Sequence, residues 1–323
     1  MTISNASDLD IEYKGNIGID YKKFDYSTPY AKDKNQKTIL GEVELTKSYE
    51  DIILFSKIEA LDEVDKNDGN SRDYIKLNEF YIKYESDNYD IKVGRDIKYW
   101  GALELYNITD IYNEKNTKND PYDKDKKFGR DGVTYNYYFE NEDSLSFIVS
   151  KNKNAKYDTS SYIKYSGSRD DIASRDFTYI LSSLDEKFMM YHTIIIEDTI
   201  YKVEYLYSNK TEKYQGGVGL EHTLYSIFDK KDLGLMVEYY KSNAKSNDTN
   251  RQYTKNIFVG SRLTFNNINS TEMVFGVIKD DTKKEYSKSI ELNSRFYDDY
   301  KIKLGYLKND SLAVYSINIA YYF

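Results

Sequence analysis

Leu9-Asp10-Ile11-Glu12-Tyr13-Lys14-Gly15-Asn16-Ile17-Gly18-Ile19-Asp20-Tyr21-Lys22 opens the patterned part of the chain and decides how the rest is read. Its odd positions are apolar or glycine, and its even positions are charged or polar apart from Gly18. A period of two puts alternate residues on opposite faces of a strand, so one face is oily and the other charged. The same division returns at Ile39/Val43/Leu45, Val133/Tyr135/Tyr137/Phe139, Tyr201/Val203/Tyr205/Tyr207 and Leu233/Leu235/Val237/Tyr239. It recurs again at Ile257/Val259/Leu263/Phe265, Ile290/Leu292/Phe296 and Tyr300/Ile302/Leu304/Tyr306. Helical spacing fails almost everywhere and both halves behave alike. The expected organisation is a short tail over 1–8 followed by one all-β domain over 9–323.

Composition narrows the class. The 323 residues include 36 Tyr, two His, two Pro and no Cys, with Lys+Arg 46 against Asp+Glu 54. An aromatic content of 16% argues against disorder despite a mean hydropathy of −0.75. The absence of Cys excludes disulfides, thiolate metal sites and a Cys nucleophile, and two His make a His-rich metal site improbable. A net charge of −8 speaks against nucleic acid, whose phosphates call for a basic face. There is no apolar run long enough for a transmembrane helix, and Met1-Thr2-Ile3-Ser4 is too polar to begin a secretory leader. The chain therefore reads as unexported or as a mature form with its signal peptide removed. A barrel that spends only alternate residues on lipid remains open to it.

Short connections at Ser48–Asp51, Glu85–Asn88, Glu140–Asp143, Asn266–Ser270 and Tyr297–Asp299 contrast with longer ones at Ser27–Lys37, Leu61–Arg72, Lys98–Arg130, Lys151–Ser160 and Lys241–Tyr253. Short turns on one rim and longer loops on the other predict a transmembrane antiparallel up-and-down β-barrel. Strands starting near 9, 38, 51, 73, 89, 131, 143, 160, 176, 187, 199, 214, 233, 254, 271, 286, 300 and 311 give about 18, an even number as such barrels require. Alternation blurs over 160–184 and 187–196, where Ile194, Ile195 and Ile196 are consecutive, so 16 is the alternative. A soluble sandwich uses strands of about five to six residues, whereas many runs here last about nine to twelve, enough to cross a bilayer at a tilt. A barrel this wide cannot fill its lumen with side chains, so the oily face points outward into lipid.

Two stretches carry a resemblance. Ala313, Tyr315, Ile317, Ile319, Tyr321 and Phe323 alternate up to a terminal aromatic, which resembles the final strand of Gram-negative outer-membrane proteins, where Tyr321 and Phe323 would serve as the assembly signal. Over about Lys76 to Asn113, Leu77-Asn78-Glu79 is followed by Val93-Gly94-Arg95, then Trp100-Gly101, Asn107 and Asp110. That order is similar to Gram-negative porin-like families with a Leu-x-Glu strand, a Val-Gly-Arg strand and a Trp-Gly element. The chain lacks the proline that often follows the Asn. The resemblance covers about a tenth of the chain and implies solute passage across the outer membrane without naming the solute.

Lys98 to Arg130 is the longest connection. Loops this long without their own secondary structure are commonly functional. By the porin resemblance it would fold inward, Gly101 permitting the bend and Trp100 wedging it. Asn119–Asp125 could offer carboxylates to Ca²⁺ but lacks a closing Glu, so a solvated loop is favoured and no metal or cofactor is expected. Outward phasing of Phe80, Ile82 and Tyr84 sets Glu79, Tyr81 and Lys83 in the lumen opposite Gly94, Lys92 and Asp90. A bulge at Gly94 would turn Arg95 inward beside Glu79 to form an eyelet; the competing reading is a structural wall pair. Lys98, Trp100, Gly101, Asn107, Asp110, Arg262 and Arg295 complete the pore candidates. Glu42, Glu44, Lys202, Glu204, Glu238, Glu291, Lys301 and Lys303 also face inward, giving a polar lumen of mixed charge suited to small hydrophilic solutes or ions.

An enzyme is not expected. His192 lies in an apolar stretch, His222 falls on the lipid-facing set, and no Gly-x-Ser-x-Gly motif accompanies either. The rival to an outer-membrane channel is a loop-closed barrel that anchors or binds a surface polymer or glycan. The expected location is the cell outer membrane, with outer-membrane lipid, lipopolysaccharide, the barrel-assembly machinery and small polar solutes as partners. A homo-oligomer is left open, since a subunit interface would look like lipid-facing wall.

Overall fold

The computed structural model of the chain describes residues 11–27, 33–65, 71–105, 107–115, 127–151, 159–170, 173–243 and 254–323. The sequence-level tail 1–8 and the Ca²⁺ candidate 119–125 lie outside these. The first strands are β1 (Glu12–Tyr26), β2 (Lys34–Tyr49), β3 (Ile52–Asp65), β4 (Ser71–Glu85) and β5 (Tyr89–Asp96). A small hairpin follows, β6 (Glu114–Lys115) with β7 (Lys127–Phe128). Next come β8 (Arg130–Tyr138), β9 (Ser144–Lys151), β10 (Thr159–Arg169), β11 (Ser174–Ser182), β12 (Lys187–Ile196), β13 (Thr199–Ser208) and β14 (Lys213–Ser226). The chain ends with β15 (Lys231–Ser242), β16 (Lys255–Thr264), β17 (Glu272–Asp280), β18 (Glu285–Phe296), β19 (Tyr300–Lys308) and β20 (Leu312–Tyr322).

All except β6 and β7 join one 18-stranded sheet whose neighbours are antiparallel. β20 returns to β1, so the sheet is a closed barrel and no edge is left unpaired. Closure runs to the last residue: Gly15 and Phe323 exchange both backbone hydrogen bonds, at 2.9 and 3.0 Å. A Cβ on Gly15 would lie 2.7 Å from the Phe323 ring, so the ring covers the glycine. The eighteen strands begin within four residues of the sequence-predicted starts, which removes the sixteen-strand alternative.

The outer face is the oily set. Ile17, Ile19, Ile82, Val93, Val218, Val259, Ile317 and Ile319 all lie there and are about half exposed. A contiguous apolar face of this kind needs cover, because monomeric soluble proteins rarely expose more than a few hundred Å² of it. Near the termini, exposed Tyr13, Tyr49, Tyr297, Tyr300, Tyr321 and Phe323 form an aromatic fringe. The rim holding the termini has short connections, none longer than 265–271, while the other carries 27–33, 66–70, 97–129, 152–158 and 243–254. Tight turns use left-handed residues without glycine, as at Glu50 (φ 48°) and Glu197 (φ 50°).

The β4–β5 hairpin differs from expectation in register and in the site of its irregularity. Tyr81 pairs with Gly94 and Lys83 with Lys92, so the inward set is right but the pairing is displaced by two residues. The bulge falls in β4 at Asn78, where the β3–β4 register shifts between Lys57 and Ile58. Gly94 has φ +137°, yet Arg95 stays on the outer side in register with Phe80 and Asp131. Its guanidinium binds both Asp131 carboxylate oxygens, at 2.7 and 3.0 Å, and the Leu77 carbonyl at 3.1 Å. That ion pair removes the physical reason for turning Arg95 inward, so the expected Glu79–Arg95 eyelet is not formed.

Candidate functional site

After β5 the chain leaves the wall and enters the lumen. Ile97 N–H donates to Glu79 Oε1 at 3.0 Å, which fixes the point of departure. The inward excursion closes on itself: Lys98 N–H donates to Asn113 Oδ1 at 2.9 Å, and Asn113 Nδ2 donates to the Lys98 carbonyl. Ends held this close make the segment a compact loop rather than an open span. Lys98 Nζ is held by Asp96 at 2.7 Å and Thr134 at 2.9 Å, and Asp110 pairs with Lys127 at 2.9 Å and accepts from Asn113 at 2.7 Å.

A loop without secondary structure carries backbone N–H groups that must find partners once buried. Two wall carboxylates supply them. Glu204 on β13 accepts from Ala102 and Leu103 N–H on Oε1 at 2.5 and 2.7 Å. Its Oε2 accepts from Ile108 and Thr109 N–H at 2.6 and 3.1 Å and from the Thr109 hydroxyl at 3.3 Å. Glu238 on β15 accepts from Glu104 N–H and, at 2.9 Å, from Leu105 N–H. Both glutamates are almost wholly buried, 1% and 2% exposed. Each bond to a charged acceptor contributes about 1.5–3 kcal/mol, so the pair forms a strong clamp.

Apolar packing completes the anchorage. Trp100, Leu103, Ile108 and Tyr112 from the loop are buried against Ile148, Tyr162, Ile180, Met189, Leu206, Met236, Tyr240, Phe258 and Ile278 of β9 to β17. Trp100, Tyr112 and Tyr162 meet as three rings 5.4–5.7 Å apart. Leu103 sits over two inward glycines of β14: a Cβ on Gly217 would lie 2.5 Å from it, and one on Gly219 2.9 Å. Gly101, at φ +117°, could carry no Cβ either, being 2.7 Å from Glu204 Oε1 and 2.9 Å from Asn107 Oδ1 at that position.

This corrects the expectation of a uniformly polar lumen. On β9 to β17 the inner wall mixes buried polar residues such as Ser150, Thr178 and Asn256 with an apolar cluster that holds the loop, and Glu204 and Glu238 are bound by amides instead of lining the water path. Trp100, Gly101, Lys98, Asn107, Asp110 and Glu79 converge on the loop or its foot, as their grouping in sequence suggested. Arg262 on β16 reaches it too, with Nη2 at 3.5 Å from Glu104 and Nε at 4.0 Å from Glu272. Arg295 does not: it is exposed near the 297–299 turn on the terminal rim. Thr109, Tyr112 and Asn113 were missed, and so were Gly217 and Gly219, although paired glycines on one strand face signal close backbone approach.

The wall facing the loop carries charges that remain partly exposed. Lys57 on β3 bridges Glu42 and Glu44 of β2, both at 3.0 Å, and Lys14 meets Glu44 at 2.8 Å. Lys303 meets Glu291 at 2.8 Å. The arrangement is a barrel interior narrowed from one side by an anchored loop, with a wall of both charge signs opposite. His192 and His222 are outside it: His222 Nδ1 lies 2.8 Å from the Thr199 hydroxyl on the outer-face register, and His192 packs edge-on against Tyr179.

No protein-family model and no curated protein matches the chain. Solved structures do. A BenF-like porin from Pseudomonas fluorescens Pf-5 superposes at TM-score 0.66 with 9% identity, over 97% of this chain and 98% of that one. Acinetobacter baumannii OccAB4 gives 0.65 with 10% identity over 99% and 100%, and Pseudomonas aeruginosa OpdQ 0.64 with 10% over 97% and 99%. At such identities the likeness is one of fold, and it spans both chains nearly end to end: this protein is built as a closed 18-stranded barrel similar to theirs.

Proposed function

We propose that the protein is an outer-membrane porin, a water-filled channel for passive diffusion of small hydrophilic solutes or ions. The observation that carries the reading is the inserted loop: a segment clamped by Glu204 and Glu238 narrows the lumen while charged side chains line the facing wall. Such a constriction selects by size and by the charges around it. The apolar outer face and its aromatic fringe support a position in a bilayer, and the fold likeness to a BenF-like porin supports the outer membrane of a Gram-negative cell. The short-turn rim with both termini then faces the periplasm. Tyr321 and Phe323, at the closing seam, are suited to serve as the signal for barrel assembly. Reconstitution into planar bilayers tests the reading: steady ohmic single-channel currents are expected, whereas a barrel that inserts but passes no current belongs to the polymer-anchor class.

A further inference from the structure

We propose that a small inorganic anion, chloride in ordinary salt, binds between the inserted loop and the wall, held by Arg130 and the hydroxyls of Ser150, Ser160 and Tyr162, and pins the loop there. Arg130 opens β8 on its inward face, and a guanidinium does not give up its proton in a protein. Its Nε and Nη1 are shut off from solvent without a hydrogen-bond partner, and it forms no ion pair among the described residues. Asp96 stands directly opposite on the β5–β8 ladder but is taken by Lys98 at 2.7 Å, Lys92 at 3.4 Å and the Tyr112 hydroxyl at 3.1 Å. A buried charge left uncompensated is costly, so this guanidinium calls for a counter-ion.

The surroundings offer donors. Ser150 and Ser160 stand opposite one another on β9 and β10, and Tyr162 is the next inward residue after Ser160. All three are 1% exposed, and none of their hydroxyls has a hydrogen-bond partner. Ser182, opposite Tyr162, is already used by the Leu184 N–H at 3.1 Å. Gly132, two residues after Arg130, is the partner of Ser150, so Arg130 and Ser150 are diagonal neighbours, about 7–8 Å apart at the backbone and within reach of a long side chain. The loop supplies the roof: the Arg130 guanidinium lies 5.9 Å from the Tyr112 ring, Tyr112 and Tyr162 are 5.7 Å apart, and Trp100 is 5.4 Å from each. Buried polar atoms without partners point to water or a ligand. Water would satisfy the hydroxyls and leave the guanidinium charge in place, whereas one anion accepts from all four side chains and neutralises it. Trp100 and Tyr112 belong to the loop and the donors to the wall, so the anion is a third anchor beside Glu204 and Glu238.

Trp100 is the single tryptophan of the chain, 4% exposed and 5.4 Å from Tyr162, so its fluorescence reports on this site. The test titrates the purified barrel with sodium iodide against sodium gluconate at constant ionic strength, iodide being both a small anion and a quencher. Saturable quenching is expected, reversed by added chloride, and Arg130→Gln is expected to weaken the apparent binding of iodide by about tenfold or more. Protease cleavage of the unmodified protein within residues 98–113 should be slower in chloride than in gluconate. Quenching that rises without saturating, that chloride does not reverse or that is the same in Arg130→Gln would each overturn the proposal, as would equal cleavage in the two salts. No quenching at all would mark a site filled by water alone and overturn it as well. Chloride reversal and the cleavage comparison use the unmodified protein, so misfolding of the variant leaves the test intact. Neither readout needs a current, so the site stands or falls separately from the channel reading.

Discussion

Glu204 Oε1 accepts the backbone N–H of Leu103 at 2.7 Å while the Leu103 side chain fills the hollow above Gly217 and Gly219, so one loop residue is fixed through both its main chain and its side chain. Glu204→Ala would strand the buried N–H groups of Ala102, Leu103, Ile108 and Thr109, at about 1–3 kcal/mol for each one left unpaired. Glu204→Gln keeps one acceptor oxygen and should fall between. The expected order of protease cleavage rate within residues 98–113 is Ala variant, then Gln variant, then the unmodified protein. Identical rates would show that the carboxylate is not the clamp.

The glycine hollow predicts a position-specific clash. Gly217→Ala places a methyl 2.5 Å from Leu103 Cδ1, whereas the nearest atom to a Cβ on the neighbouring Gly216 is 3.7 Å away. Overpacking of this kind costs about 1–3 kcal/mol. Urea unfolding from lipid vesicles should show a lowered midpoint for Gly217→Ala and little change for Gly216→Ala. If the two behave alike, the loop is not seated where described.

Arg95 and Arg262 separate wall structure from pore lining. Arg95 is spent on Asp131 and the Leu77 carbonyl at the outer face, while Arg262 faces the lumen beside Glu104. Arg95→Ala is expected to leave the current–voltage curve and ion preference unchanged. Arg262→Ala and Lys57→Gln each remove a lumen cation and should shift preference toward cations, read as reversal potential in a salt gradient. A shift with Arg95→Ala and none with the other two would invert the assignment.

Asp143, in the turn between β8 and β9, accepts from Arg169 Nη1 at 2.6 Å, Arg169 Nη2 at 2.9 Å and the Tyr165 hydroxyl. The Arg169 guanidinium, followed by the Tyr165 hydroxyl, holds its carboxyl well below the usual carboxylate range. A depressed folded value means that the stabilisation is complete above the unfolded pKa and is lost as pH falls through the lowered one. Asp143→Asn should therefore lower the unfolding midpoint at neutral pH, and the gap from the unmodified protein should close only in strong acid. A gap independent of pH would exclude the ionised carboxylate as its source.

The outer wall was legible in sequence because lipid-facing positions answer to a single requirement. Tyr201, Val203, Tyr205 and Tyr207 alternate with Lys202, Glu204 and Ser208, and the structure keeps that division. Alternation blurred over β10 to β12 for a physical reason: Tyr162, Ile180 and Met189 face inward yet are apolar, since the loop covers them. Glu204 and Glu238 read as pore charges because spacing alone cannot tell a carboxylate that meets water from one that meets amides. The hairpin register slipped by two residues because a shift of two preserves the face of every side chain, leaving the pattern nothing to object to.

The central claim is that a clamped loop sets the width of the channel, and the Glu204→Ala/Glu238→Ala double variant tests it most directly. Single-channel conductance in planar bilayers should be larger and noisier in the double variant than in the unmodified barrel, as the loop amides lose their carboxylate partners and the loop leaves the wall formed by β9 to β17. Conductance equal to that of the unmodified barrel, with the same noise, would contradict the account.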